Sequence, residues 1–353
     1  MQGRCVLVSA LTDFAAEVLA AAGMETSESR VVARHLGVAS LRGVDSHGIT
    51  RLPVYAQRVR AGGIRSPAEL RVVRDHSAVV VLDGGHGAGQ VVGERAMETA
   101  VERAHRFGVG AVAVRHGNHL GALAAYTMRA AEDGVIGIVA TNASPRIAPT
   151  GGAEPLLGNN PWSVAVPGDD RPVVVDMATS VAALGKVRQL KERGEPMPSG
   201  WARDLDGRPT TDPAAAIDGL LEPIGGHKGY GIALVVDLLT GALAGSSTGP
   251  DVGVLTDAGR VGDQGHLFLA LAAEAFGPAD EYRQQVGAIA ERLRGSRTAP
   301  GVDAVRVPGD PEELVEAQRT AEGIPLSDAL TVRLRATAAE CGVHVPTWLT
   351  EAE

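Results

Sequence analysis

Residues 45–55 set Ser46, His47, Arg51 and Tyr55 around Gly48, a hydroxyl, an imidazole, a guanidinium and a phenol on one short stretch. An imidazole can move a hydroxyl proton because its pKa lies near working pH. A guanidinium can grip a carboxylate with a two-pronged hydrogen bond that lysine cannot reproduce. Interconversion of a 2-hydroxy acid and a 2-oxo acid needs both groups in one place. The same residues also fit a helix-capping serine beside a solvated histidine and arginine, so the rest of the chain has to decide.

A second cluster, residues 115–121, carries His116, Asn118 and His119 directly after an apolar run. Polar residues where a strand ends often line sites. A metal at His116 and His119 would need a third ligand such as His47, His76 or His86, and no spacing supplies one. The glycine-rich segment 84–90 follows a strand and precedes a helix, as a phosphate loop would. Its spacing, Gly87-x-Gly89-x-x-x-Gly93, is one residue too long for the dinucleotide fingerprint. The preceding strand also reads as a hairpin partner, not as the start of a parallel βαβ unit. Three later segments suit cofactor contacts: 173–180 with Asp176, Met177 and Ala178, 225–231 with His227 and Lys228 among glycines, and 307–311 with Pro308, Gly309 and Asp310. Each of them could also be a plain helix cap.

The elements that must hold these residues alternate between helical and strand periods. Leu11, Phe14, Val18, Leu19 and Ala22 share a helical face, with Ser9 as the expected N-cap and Gly23 as the stop. Helices follow over 27–41 and around Leu52, Tyr55 and Val59. Runs 70–73 and 78–82 predict an antiparallel hairpin. Beyond it the pattern predicts helix 91–107, strand 109–114, helix 121–132, strand 135–141 and helix 181–193. An apolar helix over 230–243 reads as central, and strand 266–271 and three helices complete the chain.

With 353 residues the chain can build a sizeable core. A net charge of −9 without a dense basic stripe argues against nucleic acid as a partner. Cys5 and Cys341 lie at opposite ends, which fits a reduced cytoplasmic protein better than a disulfide scaffold. No segment reads as a membrane span, since the most apolar helical run is short and carries Asp237.

From about residue 11 to 325 the chain resembles the malate/L-lactate dehydrogenase family, whose members include ureidoglycolate and sulfolactate dehydrogenases, diketogulonate reductases and cyclic-imine reductases. The landmarks are Arg42-Gly43-Val44-Asp45-Ser46-His47-Gly48, Asn118-His119-Leu120-Gly121, Gly158-Asn159-Asn160-Pro161, Asp176-Met177-Ala178-Thr179-Ser180, Gly185-Lys186-Val187, His227-Lys228-Gly229-Tyr230-Gly231 and Pro308-Gly309-Asp310. The resemblance implies an α/β (α+β) fold without a Rossmann domain, its cofactor held on a mainly antiparallel mixed sheet over 77–278. Helical regions 1–76 and 279–353 would flank that sheet. It further implies NAD or NADP as cofactor, a small 2-hydroxy or 2-oxo acid as substrate, and a homodimer with its site at the subunit interface.

By position the resemblance assigns His119, His47, Ser46 and Lys186 to catalysis, and Arg51, Tyr55 and Asn142 to the substrate. His119, Leu120, Gly121, Asp176, Met177, Ala178, His227, Lys228, Pro308, Gly309 and Asp310 fall to the cofactor. His119 is preferred as the acid/base with His47 as its partner, although the residues themselves leave that choice open. Lys186 stands where the imine reductases carry an aspartate, which favours a ketone/alcohol pair over an imine. Asn159 replaces the family's threonine, and Ala143 a cofactor-contacting serine of the ureidoglycolate branch, which the chain otherwise resembles around 151–154 and 206–213. Reduction of a pathway-specific oxo or imine acid, a metal-dependent lyase or hydrolase, and a non-catalytic nucleotide binder are the competing functions.

Overall fold

The computed structural model describes residues 4–350. The chain opens with β1 (Arg4–Val6), α1 (Val8–Ala21) and α2 (Thr26–Leu41), then two 3₁₀ turns over residues 45–51 and α3 (Leu52–Arg60). It continues through β2 (Arg71–His76), β3 (Val79–Asp83), α4 (Gly89–Phe107), β4 (Val109–Gly117), α5 (Ala124–Glu132) and β5 (Val135–Thr141). Next come β6 (Pro145–Ile147), β7 (Leu157–Gly158), β8 (Trp162–Val166), β9 (Val173–Met177), α6 (Leu184–Arg193), β10 (Ala202–Arg203), β11 (Pro209–Thr210) and α7 (Pro213–Asp218). The last part holds β12 (Leu220–Leu221), α8 (His227–Asp237), β13 (Gln264–Ala272), α9 (Ala279–Arg294), α10 (Asp310–Glu322), β14 (Ile324–Leu326) and α11 (Asp328–Cys341).

Leu11, Phe14, Ala15, Val18 and Leu19 recur at helical spacing on α1, and all five are buried. They form one core with Leu36, Leu52 and Tyr55 and with Leu330, Leu334 and Ala338 of α11, so the two chain ends share a hydrophobic unit. The antiparallel pairing of β1 with β14 closes it, Cys5 opposite Pro325.

The seven-stranded sheet runs β2-β3-β4-β13-β5-β8-β9. Its β13 is central and alternates buried and half-buried residues along most of its length, as a strand covered more heavily on one face should. Val92, Ala96, Met97, Ala100 and Ala104 of α4 cover Val112, Val114, Val139 and Phe268 of the sheet. Gly108, at φ +82, ends α4 in the left-handed region that a side chain would oppose.

The α/β architecture agrees with expectation, but several local readings change. The hairpin β2–β3 forms, yet β3 also pairs in parallel with β4 across α4. A hairpin occupies only one edge of a strand, so it never excluded the parallel βαβ unit that was ruled out from sequence. The remaining pairs of the sheet are antiparallel. Helix α1 starts at Val8 after Leu7, so Ser9 lies inside it and is not the cap. Helix α5 starts at Ala124 rather than residue 121, because Gly121 turns at φ +79. Helix α6 starts at Leu184, after Ala183 in an extended conformation. Finally, α8 and the π turn Leu238–Ala242 that extends it are not central: Ile232, Val235, Leu238, Leu239 and Leu243 are exposed.

Candidate active site

The 45–51 turns are fastened from both sides. Ser40 Oγ, at the end of α2, accepts the Ile49 N–H at 2.9 Å, and Gly48 packs so closely on Ser40 that a Cβ would collide. Arg319 of α10 holds Asp45 with two hydrogen bonds, 2.6 and 3.0 Å. These contacts present Ser46 and His47 to a cavity of about 820 Å³, within the roughly 300–1,000 Å³ usual for small-molecule sites. Residues 119–125, at the end of the β4 loop and the start of α5, form a second wall. Asn142, residues 174–178 of β9 and its end, Lys186 of α6 and residues 306–309 complete it.

Two imidazoles stack inside, the rings of His47 and His119 lying 5.4 Å apart and 8° from parallel. Ser46 Oγ is 2.9 Å from His47 Nδ1. Burial, and then the Arg51 guanidinium, push His47 down to about 4. Burial first, then the charges of His47 and Arg51, hold His119 well below the ordinary 6.5. Both rings are therefore neutral at working pH.

His119 has a partner that the sequence did not disclose. Tyr55 Oη lies 2.7 Å from His119 Nδ1 and accepts from Gln90 Nε2 at 3.0 Å. The Gly121 N–H donates to the same Nδ1 at 3.3 Å. Tyr55 is 1% exposed, is not part of the cavity wall, and burial pushes its phenol up to about 12. It stands behind His119, where the resemblance had assigned a substrate contact. Gln90 sits in the first turn of α4, delivered by the glycine segment weighed above as a phosphate loop. Those glycines serve a different close approach: a Cβ at Gly89 would strike the carbonyls of Asn118 and His119.

Arg58, 1% exposed and unnoticed in the sequence, fixes the same loop. Its guanidinium donates to Asp257 O at 2.6 Å, Arg260 O at 2.9 Å and Asn118 Oδ1 at 3.1 Å. Asn118 in turn donates to His86 O at 2.7 Å, which leaves little freedom for its neighbour His119. His116 turns away, its Nδ1 3.1 Å from Asp83 Oδ2. Asn142 lines the cavity with its amide engaged, donating to Ser247 O at 2.7 Å and accepting from Gly265 N at 2.9 Å.

Other assigned positions divide. Leu120, Gly121, Asp176, Met177, Ala178, Pro308 and Gly309 line the cavity. Asp176 accepts the Ala124 N–H at 2.8 Å, and burial pushes its carboxyl up to about 6. Gly309, at φ +100, lies against Val174, whose N–H donates to Pro308 O at 3.1 Å. Asp310 is just behind, gripped by Arg294 at 2.7 and 3.0 Å and held near 2 by that guanidinium. Lys186 lines the cavity from the first turn of α6, which rests on Ser46 at Gly185. Arg51 opens instead on an adjoining cavity, its Nε donating to Ser46 O at 2.5 Å. His227 and Lys228 stand exposed at the start of α8, outside this chain's own cavity.

A wall of small residues (Gly121, Ala122, Ala124, Ala125), the Asp176 carboxyl on the cavity wall and flanking Lys186 and Arg306 suit a long polar molecule carrying flat rings and anionic groups. Such a donor set fits a dinucleotide.

Residues 6–335 match the family model described as malate/L-lactate dehydrogenase. The malate dehydrogenase of Pyrococcus horikoshii is 36% identical over 342 residues, 95% of this chain and 94% of that protein. The NAD(+) ureidoglycolate dehydrogenase of Escherichia coli K12 is 35% identical over 314 residues, 88% of this chain and 89% of that protein. The solved sulfolactate dehydrogenase of Methanocaldococcus jannaschii superposes with a TM-score of 0.90 at 34% identity, covering 96% of this chain and 98% of its own. These identities single out no branch, but the cover is nearly complete, and the chain belongs to the malate/L-lactate dehydrogenase family.

Proposed function

We propose that this protein is an NAD(P)-dependent dehydrogenase that interconverts a small 2-hydroxy acid and its 2-oxo acid. The observation that carries the reading is the pair of stacked neutral imidazoles in a cofactor-sized cavity, one of them backed by a buried phenol. Bound NAD(P) supplies the hydride acceptor, or the donor in reverse. In oxidation, His119 takes the substrate hydroxyl proton at Nε2. That requires the neutral ring to carry its one hydrogen on Nδ1 beforehand, donated to Tyr55 Oη, which also accepts from Gln90. In the other neutral tautomer the phenol O–H donates to Nδ1 and the hydrogen sits on Nε2, a form that holds the substrate oxygen and does not act as base. Ser46 donates to His47 Nδ1, which leaves the His47 Nε2–H free to hold the substrate's carboxyl or carbonyl oxygen. Arg51 clamps the carboxylate from beside Ser46. Asp176, Pro308 and Gly309 seat the cofactor, with Asp310 bracing them from behind.

A homodimer completes the site. The exposed apolar ridge of α8 and its π turn is what a subunit interface would cover. Lys228 and His227, remote from their own cavity, sit on that same helix and would face the cavity of a second copy. No described helix is long and apolar enough to cross a membrane. With Cys5 and Cys341 joined in no disulfide, a cytoplasmic enzyme is the location proposed.

The test is absorbance at 340 nm with both cofactors, against pyruvate, oxaloacetate, glyoxylate, sulfopyruvate and a cyclic imine acid, and in reverse with lactate, malate and ureidoglycolate. Turnover of a hydroxy/oxo pair that is lost in Arg51→Ala supports the reading. Absence of any cofactor binding overturns it.

A further inference from the structure

Gln264 stands on the wall of the catalytic cavity at the start of β13, only 7% exposed, and no step of the mechanism uses it. The pairing of β13 with β4 slips between Gln264 and His266, and such an irregularity re-aims a side chain beside a site. Its amide has a fixed sense. Nε2 donates to Asn142 O at 2.8 Å, and a backbone carbonyl only accepts, so nitrogen and oxygen cannot exchange places. Asn142 is itself anchored: it is 0% exposed, accepts from Gly265 N at 2.9 Å and donates to Ser247 O at 2.7 Å. Gln264 Oε1 is therefore a pure acceptor. Among the described residues none donates to it, and it is not sealed from solvent. Gly262 separates it from the loop that carries His119. A Cβ there would come 3.5 Å from Gln264 Oε1 and 2.8 Å from Asn118 Oδ1. The open acceptor thus lies beside the loop of the acid/base histidine.

We propose that Gln264 Oε1 accepts an N–H of the nicotinamide carboxamide and so sets how the cofactor ring is turned in front of His119. The inference rests on the dehydrogenase reading above and adds a cofactor contact to it. A hydroxy acid offers this oxygen no suitable donor: its hydroxyl hydrogen goes to His119, and its carboxylate would repel an amide oxygen. At the reacting end of NAD(P) the carboxamide carries two N–H donors. A ring bound without the contact would strip Oε1 of water and leave it unpaired, a cost that the carboxamide N–H removes. Half a turn of the ring about its bond to the ribose would carry the carboxamide away from Gln264. The contact therefore selects one face of the ring for hydride transfer.

The acetylpyridine analogue of NAD(P) carries a methyl group where the carboxamide has its amino group, so it deletes this hydrogen bond from the cofactor side. Calorimetry gives Kd for cofactor and analogue in the full-length enzyme and in Gln264→Met and Gln264→Leu, which remove the acceptor from the protein side. The unaltered enzyme should bind the cofactor more tightly than the analogue, and either variant should shrink that preference on the order of tenfold. The same ratio in kcat/KM is the second readout, because the different redox potentials of the two rings cancel when variant is compared with unaltered enzyme. Equal affinity of the unaltered enzyme for both forms overturns the proposal without any variant. A preference that the variants keep also overturns it, and puts a ribose hydroxyl or water on Oε1. A loss confined to ureidoglycolate turnover, with the preference kept, overturns it in favour of a substrate N–H. If no hydroxy acid is turned over but the Kd preference is present and shrinks in the variants, the contact stands and the reaction does not. If a hydroxy acid is turned over and the preference does not change, the contact falls and the reaction stands. Absence of cofactor binding overturns both.

Discussion

Tyr55→Phe removes one oxygen from a buried site and separates two roles for this side chain. The phenol is 2.7 Å from His119 Nδ1 and 3.0 Å from Gln90 Nε2, and its residue is 1% exposed. Phenylalanine keeps the ring packing, so the loss is confined to those two hydrogen bonds. When His119 takes a proton it becomes an imidazolium whose Nδ1–H needs an acceptor, and Tyr55 Oη is the one within reach. A hydrogen bond to a charged group contributes about 1.5–3 kcal/mol, which places the expected fall in kcat between roughly tenfold and a hundredfold. The unmatched Gln90 amide adds a stability cost of about 1–3 kcal/mol, readable as a lower urea midpoint. Because Tyr55 is not part of the cavity wall, KM for the hydroxy acid and Kd for the cofactor should hardly move. The assay is steady-state oxidation with both substrates varied, beside cofactor binding by fluorescence. If KM for the acid rises while kcat is kept, Tyr55 grips substrate directly and the reasoning about His119 is refuted.

Four other outcomes follow from the same geometry. Removing the His47 ring in His47→Ala deletes one charge that holds His119 down, so the acid limb of the kcat profile should move up toward 6.5. A limb that disappears instead would make His47 the ionising group. Burial holds His266, fully enclosed, near 3. The unfolded chain therefore takes up its proton near 6.5 while the fold refuses it, and stability falls as pH drops below 6.5. That ring alone should cost on the order of 2 kcal/mol between pH 7.5 and 5, with a smaller share from His47, whose ring opens on the cavity. Asp176, raised to about 6, works in the opposite direction over the same range, so urea midpoints at the two pH values measure the net loss. Asp310→Asn loosens the Arg294 clamp behind Pro308 and Gly309, and should raise KM for the cofactor several-fold with kcat nearly kept. Leu238→Asp combined with Leu243→Asp should give a folded monomer with little activity by light scattering and assay, whereas an active monomer would remove the shared-site reading.

What could be read in the sequence was what lies close along the chain. Ser46, His47 and Arg51 fall within two short turns, and the Val135–Thr141 strand emerges at its expected limits because its neighbours alone set the pattern. The partners of His119 were out of reach for the opposite reason. Tyr55 is 64 residues from it, and Gln90 is 35 residues from Tyr55, so no local period relates the three. The glycines at 84–93 posed a subtler problem: absence of a side chain says that something comes close, but not whether it is a phosphate or the carbonyls of Asn118 and His119. Apolar residues on α8 are ambiguous in the same way, since a face built for a second copy has the composition of a buried core.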